Sequence, residues 1–332
     1  MAFNYLSRRR VRRGWFLSLP AVALAVALAG CGGPAKAGET GDPSASAHSS
    51  QTSPAPVPPQ SQTACPVRPR HFTCAMEANI RKVKRFLRTQ PGVIGVVLYD
   101  RDTHATWANA NADHRIPAAS TIKLALTTDL LLRNAAGAIH LTPADQTLID
   151  KMLFKSSDSA ATSLWSAFES GSFLTRAQAF GMDNTIFTSS PPFWGNVYTT
   201  ARDLDNLMNY VLGRLPTSMK SSITSRMQRV APIEQWGVWG AGRANKPGVK
   251  DGWENDSDGP DGYWVTNTVG FAGPGKRYTL AIMDNLGSVP AGACGPVSDI
   301  ACYKTGITTL SDIASLLFGG HATLHPQVLA TP

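Results

Sequence analysis

Ser120-Thr121-Ile122-Lys123 sets a hydroxyl and an amine three residues apart at the head of the apolar run STIKLALTTDLLLR. Residues at i and i+3 share a helical face, so the Lys123 amine can approach the Ser120 hydroxyl. Desolvation lowers the pKa of a lysine in an apolar interior, and its neutral form can then take the serine proton. The unpaired N–H groups and dipole at a helix start favour negative charge on whatever the serine attacks. An ordinary helix start with a snorkelling lysine would use the same letters. Further along, Ser157-Asp158-Ser159 offers Ser157 as a hydroxyl relay between base and leaving group, although Ser and Asp are also favoured helix caps. Lys250-Asp251-Gly252, in GVKDGW, offers a cation and a glycine that admits close backbone approach. The N–H of Trp253 can then join that of Ser120 as an oxyanion hole.

These residues need elements to carry them. GVIGVVLYD, the turn DRDT and HATWANA predict two strands paired as a hairpin. STIKLALTTDLLLR, PADQTLIDKMLF, AATSLWSAF, TTARDLDNLMNYVL and SMKSSITSRMQRV carry helical patterns, with Thr142 capping a helix that starts at Pro143. After about Pro247, GVKDGW, YWVTNTVGFA and RYTLAIMDN predict three strands, and GITTLSDIASLLFGG predicts a closing amphipathic helix. The simplest packing is one sheet built from both ends of the chain with a helical lobe inserted between them, and a cleft where the lobes meet.

Taken in order, S-x-x-K, S-D-x and K-x-G resemble the class A β-lactamase and penicillin-binding-protein superfamily. The resemblance runs from about Gly92 to Gly319 and includes Thr199-Thr200 ahead of ARDLDNLM. It implies an α/β (α+β) fold with an antiparallel sheet flanked by helices plus an inserted all-helical lobe. It also implies Ser120 as acylated nucleophile, Lys123 as its base, Ser157 as proton shuttle, Ser159 as a contact to a substrate amide, and Lys250 as the cation that anchors substrate. The substrate so implied is a β-lactam, a peptidoglycan D-Ala-D-Ala stem or an ester. Three positions depart from the family. No glutamate occurs between Glu169 and Glu234, so the loop IFTSSPPFWGNVYTT lacks the deacylating base, and slow acyl-enzyme turnover is expected. Asp251 stands where a Thr or Ser holds the substrate carboxylate, and Ser159 where the family has Asn. A catalytically degenerate envelope binding protein is the alternative that these changes suggest. A Ser-His-Asp hydrolase finds no G-x-S-x-G elbow here.

A literal Lys304-Thr305-Gly306 lies between the last strands and the closing helix. With Cys294 and Cys302 beside it, the stretch is expected to be a stapled surface loop rather than the substrate-anchoring strand.

The formal charge of +8 does not signal a nucleic-acid binder, because Arg8, Arg9, Arg10, Arg12 and Arg13 crowd the first residues. Those arginines, the apolar WFLSLPAVALAVALA and Leu28-Ala29-Gly30-Cys31 have the order of an export signal. The last four resemble a lipobox, which implies lipidation of Cys31 after removal of residues 1–30 and placement on the extracytoplasmic face of the membrane. Export by either the general or the twin-arginine route fits the arginines. Residues 31–64 have the composition of a flexible Pro/Ser/Gly-rich tether, leaving 65–325 as the folded hydrolase domain. Cys65, Cys74, Cys294 and Cys302 allow three disulfide pairings, of which the two local ones, 65–74 and 294–302, are favoured. No cysteine or histidine grouping suits a metal, and no cofactor is expected. The chain is expected to act as a monomer.

Overall fold

The computed structural model describes residues 68–169, 171–256, 263–288, 300–321 and 323–330, all within one compact unit, Gln62–Pro332. The leader, Cys31, the tether, Cys65 and Cys294 lie outside the described residues. The elements run α1 (Cys74–Leu87), β1 (Val93–Asp100), β2 (Ala105–Ala108), β3 (Ile116–Pro117), α2 (Ile122–Ala135), α3 (Pro143–Lys155), α4 (Asp158–Phe168) and α5 (Phe173–Gln178). They continue with β4 (Ile186–Phe187), β5 (Val197–Thr199), α6 (Ala201–Gly213), α7 (Thr217–Met227), β6 (Gly248–Asp256), β7 (Tyr263–Ala272), β8 (Tyr278–Asn285), α8 (Ile300–Phe318) and α9 (Pro326–Ala330).

Five strands form an antiparallel sheet in the order β2-β1-β8-β7-β6. Pairing of β1 with β8 joins the two ends of the chain, as the patterning requires. Both faces of the sheet are buried, and strand alternation sorts the side chains between two cores. Val97, Ala281 and Met283 face the helical lobe, whose centre is α2. Val96, Leu98, Leu280 and Ile282 pack instead with α1 and α8. Every residue from Ile122 to Leu131 in α2 is buried, and Thr127 and Thr128 return their hydroxyls to the carbonyls of Lys123 and Leu124. The lobe's acids are also paired: Arg133 and Arg176 both reach Asp129 and Glu169, tying α2 to the end of α4 and to α5.

Two differences from the sequence-based expectation stand out. Helix α1 lies outside the elements that the patterning predicts, yet Met76, Ile80 and Val83 follow helical spacing and are buried, and Thr73 caps the helix. Lys304-Thr305-Gly306 is not in a surface loop but inside α8, where Cys302 and Tyr303 are buried and a Cβ on Gly306 would meet the Thr266 hydroxyl oxygen at 2.4 Å. The glycine there serves helix-to-sheet packing.

Candidate active site

Ser120 sits in a short 3-10 turn, Ala119–Thr121, that runs directly into α2. Ala119 has φ of +46°, a conformation L-residues seldom adopt, and this kink presents Ser120 at the rim of the lobe. The turn is held from the sheet side by Asn267 of β7, whose amide donates to the carbonyls of Pro117 (2.8 Å) and Ala118 (3.2 Å). Lys123, one helical step on, is fully buried and donates to Ser120 Oγ at 2.7 Å. The chain brings these two together as their spacing predicts.

The hydroxyl that lies between the two lysines is that of Ser156 rather than Ser157. Helix α3 ends on Ser156 in the left-handed conformation, φ 56° and ψ 34°. That cap turns the Ser156 side chain inward, where its Oγ accepts from Lys123 (3.3 Å) and Lys250 (2.9 Å), while its carbonyl accepts from Lys123 at 2.8 Å. Ser157, back in an ordinary conformation, caps α4 by accepting from the Ala160 N–H at 3.3 Å. Its hydroxyl also pairs with that of Ser159 at 3.1 Å, and Ser159 is exposed. The motif is thus read one residue early, as Ser156-Ser157-Asp158. Its third member, Asp158, takes the place expected of an Asn and accepts from Lys123 at 2.5 Å.

Lys250 of β6 lies on the far side of Ser156. Its three N–H groups go to Ser156 Oγ (2.9 Å), Glu234 Oε2 (2.7 Å) and the Asp251 carbonyl (2.7 Å). Glu234, the counter-ion, comes from the 3-10 turn Pro232–Glu234 after α7, and both side chains are fully buried. Gly252 faces the nucleophile: a Cβ there would stand 2.7 Å from the N–H nitrogens of both Ser120 and Thr121. Only glycine lets the edge strand approach the helix start so closely. The next residue, Trp253, supplies the N–H expected to complete an oxyanion hole, and its ring packs edge-on to Trp236 and against Tyr303.

Asp251 does not line the cleft. Alternation along β6 turns it to the opposite face from Lys250 and Gly252, opposite Thr268 of β7. It is fully buried near the Trp236 backbone and Thr268, without a full hydrogen bond to either. Burial, reinforced by the nearby Glu234 charge, pushes its carboxyl well above the usual carboxylate range.

Desolvation, reinforced by the Lys250 charge, lowers Lys123 to about 8, while Asp158 and Glu234 work in the opposite direction. The lysine is thus poised to exist in both protonation states near neutral pH. On its remaining side the ring of Trp194 lies 4.7 Å from Nζ, and the indole donates to Thr162 at 3.1 Å. The loop that lacks a glutamate brings an aromatic ring to the lysine. Thr200 caps α6 by accepting from the Asp203 N–H, and Thr199 bonds to Thr185, so the Thr-Thr pair fixes the loop's exit.

Sequence reasoning missed Ser156, Asp158, Glu234 and Trp194. Among the described residues no group of three or more potential metal ligands occurs, and no helix is long and apolar enough to cross a membrane. Neither expected disulfide falls wholly within the described residues: Cys74 opens α1 and Cys302 is buried in α8, but Cys65 and Cys294 lie outside them.

A family model, described as the Beta-lactamase enzyme family, matches residues 78–144, a span that contains Ser120 and Lys123. Proteins of Mycobacterium bovis and Mycobacterium tuberculosis named as the lipoprotein LppW are 29% identical over 199 residues, 57% of this chain. The chain spans 62% of the length of those relatives. A β-lactamase from Xanthomonas campestris superposes with a TM-score of 0.58 at 18% identity, covering 74% of this chain and 98% of that one. PBP-A superposes with a TM-score of 0.57 at 16% identity, covering 76% and 98%. A variant of PBP-A is described as an acyl-enzyme complex with penicillin G. The fold of this chain is the one shared by class A β-lactamases and penicillin-binding proteins.

Proposed function

We propose that this chain, which carries the β-lactamase and penicillin-binding-protein fold, is an envelope serine hydrolase that forms an acyl-enzyme on Ser120. The observation that carries this is the continuous hydrogen-bonded path Ser120–Lys123–Ser156–Lys250. Lys123, with its lowered pKa, takes the Ser120 proton as Oγ attacks an acyl carbon. The proton is passed through Ser156 Oγ to the leaving group. Lys250 fixes Ser156 between the two lysines by donating to its Oγ. The second half of the reaction, hydrolysis of the acyl-serine, finds no glutamate in the loop that brings Trp194 to Lys123. General-base help is worth ~10²–10⁴-fold, so the acyl-enzyme is long-lived.

The likeness to the mycobacterial LppW proteins supports reading the Leu28-Ala29-Gly30-Cys31 end of the leader as a lipidation site, with the folded part tethered to the membrane. A degenerate binding protein is the reading that the Trp194 contact favours, because the ring packs on the general base. Intact-protein mass spectrometry after exposure to β-lactams and acyl esters separates the two. A stable mass increment that is lost in Ser120→Ala supports acyl transfer; no Ser120-dependent increment with any probe refutes it.

A further inference from the structure

The charge arrangement around Ser120 also selects among acyl donors. We infer that this site takes acyl donors that carry no carboxylate beside the scissile bond, uncharged or cationic esters rather than penicillins or peptides ending in D-alanine. The inference rests on the acyl-enzyme reading above and concerns the substrate of that same site.

Three observations support it. The first is the saturation of Lys250. An ammonium group has three N–H donors, and here all three are used by Ser156 Oγ, Glu234 Oε2 and the Asp251 carbonyl, with the side chain fully buried. It acts inside the site, holding Ser156, and has no donor left for a substrate carboxylate. Its charge is matched by Glu234 at 2.7 Å, so the pair offers an arriving anion little net attraction.

The second is Asp158. Its carboxylate is 75% exposed on the side chain and lies 2.5 Å from Lys123 Nζ, which itself touches the nucleophile. An ionised carboxylate only accepts hydrogen bonds, so it repels an anion and welcomes an N–H or ammonium group on the substrate. The third is the orientation of Asp251 and its neighbours. The residue following Lys250 carries no hydroxyl into the cleft; it turns to the α8 face, which Trp236, Trp253 and Tyr303 fill. The two cations that contact the site's hydroxyls are thus each balanced by an acid, and the exposed member of these four groups is negative.

In the reaction the bond from Ser120 Oγ to the acyl carbon forms and the bond from that carbon to the leaving oxygen breaks. The Oγ proton goes to Lys123 and, through Ser156, to the leaving oxygen as an alcohol. Water later adds to the acyl-serine, releasing a carboxylic acid and restoring Ser120. No oxidant, reductant or metal enters the balance.

The test compares 4-nitrophenyl acetate with its counterpart bearing a carboxylate on the leaving-group ring, each rate divided by the probe's own rate with hydroxide. A fluorescent penicillin is the third probe. Labelling of Ser120 in the full chain is followed by intact mass. The carboxylate-free ester is expected to react about tenfold faster or more. In Asp158→Asn that gap is expected to narrow; because both esters meet the same variant, any change in Lys123 basicity cancels from the ratio. Equal or faster labelling by the carboxylate-bearing ester or by the penicillin overturns the inference and leaves the acyl-enzyme reading standing. A gap unchanged in Asp158→Asn overturns the part given to Asp158. No Ser120-dependent labelling by any probe overturns the acyl-enzyme reading and this inference together.

Discussion

Lys123 is the residue on which the proposed acyl transfer turns, and its titration gives a directional prediction. In the proposed acyl transfer it would act as base only when neutral, and burial brings it down to about 8. Ser120 labelling by an ester is therefore expected to rise as pH increases through about 8 and to level off above it. Asp158 favours the charged lysine through its hydrogen bond and charge. In Asp158→Asn that support is lost, so the rise in the pH–rate profile moves toward lower pH. A midpoint that stays put or moves up contradicts the assignment of Lys123 as base. The adjacent serines allow a second comparison. Ser156→Ala removes the hydroxyl between the lysines and is expected to slow labelling by about 10²-fold. Ser157→Ala removes a helix cap and an exposed bond to Ser159, costing about 1 kcal/mol of stability with labelling nearly unchanged. Stopped-flow labelling and thermal melts on the two variants check both halves. Two neighbouring serines are indistinguishable as letters. What separates them is the left-handed φ of Ser156, a backbone event at the end of α3 that composition does not encode.

Strands β6 and β8 show how elements decide which side chains matter. In β6, Lys250 and Gly252 face the nucleophile while Asp251 faces α8, so three consecutive letters divide between a site and a core. The strand itself was legible from its flanking strands and turns. The burial of Asp251 was not, because Trp236 and Tyr303 reach that face of β6 from two other segments, where they pack on Trp253. Glu234 was missed for a similar reason: a 3-10 turn after α7 brings it to Lys250, and nothing in the spacing announces the contact. In β8, Asp284 is fully buried with neither carboxylate oxygen bonded, and burial alone pushes its pKa well above 3.8. An acid whose folded pKa is raised holds its proton more tightly in the native state. Its stabilising contribution is complete below about pH 3.8, the unfolded value, and declines as pH rises toward the folded value. Asp284→Asn, which cannot ionise, should therefore gain melting temperature relative to the parent as pH is raised from 4 to 8. Parallel melts across that range test it; a difference independent of pH would mean that Asp284 does not titrate with folding.

At the scale of the whole molecule, the fold was the most legible feature of the sequence. Sheet-lobe-sheet order followed from hydrophobic period, since both chain ends carry strands and the middle carries helices. Helix α1 escaped because a charged surface face interrupts its three buried positions. The Lys-Thr-Gly inside α8 shows the converse risk, a motif whose letters match while its element does not. One fatty chain holds a protein to a membrane only marginally, whereas two hold it stably. A diacylglycerol on Cys31 would supply two. Cys31→Ser is expected to move the protein from the detergent phase to the aqueous phase on Triton X-114 partitioning. The Ser120 labelling rate should remain that of the parent, since the tether contributes no residue to the Ser120–Lys123–Ser156–Lys250 path. Retention of Cys31→Ser in the detergent phase would mean that the leader itself, not a lipid, holds the chain to the membrane.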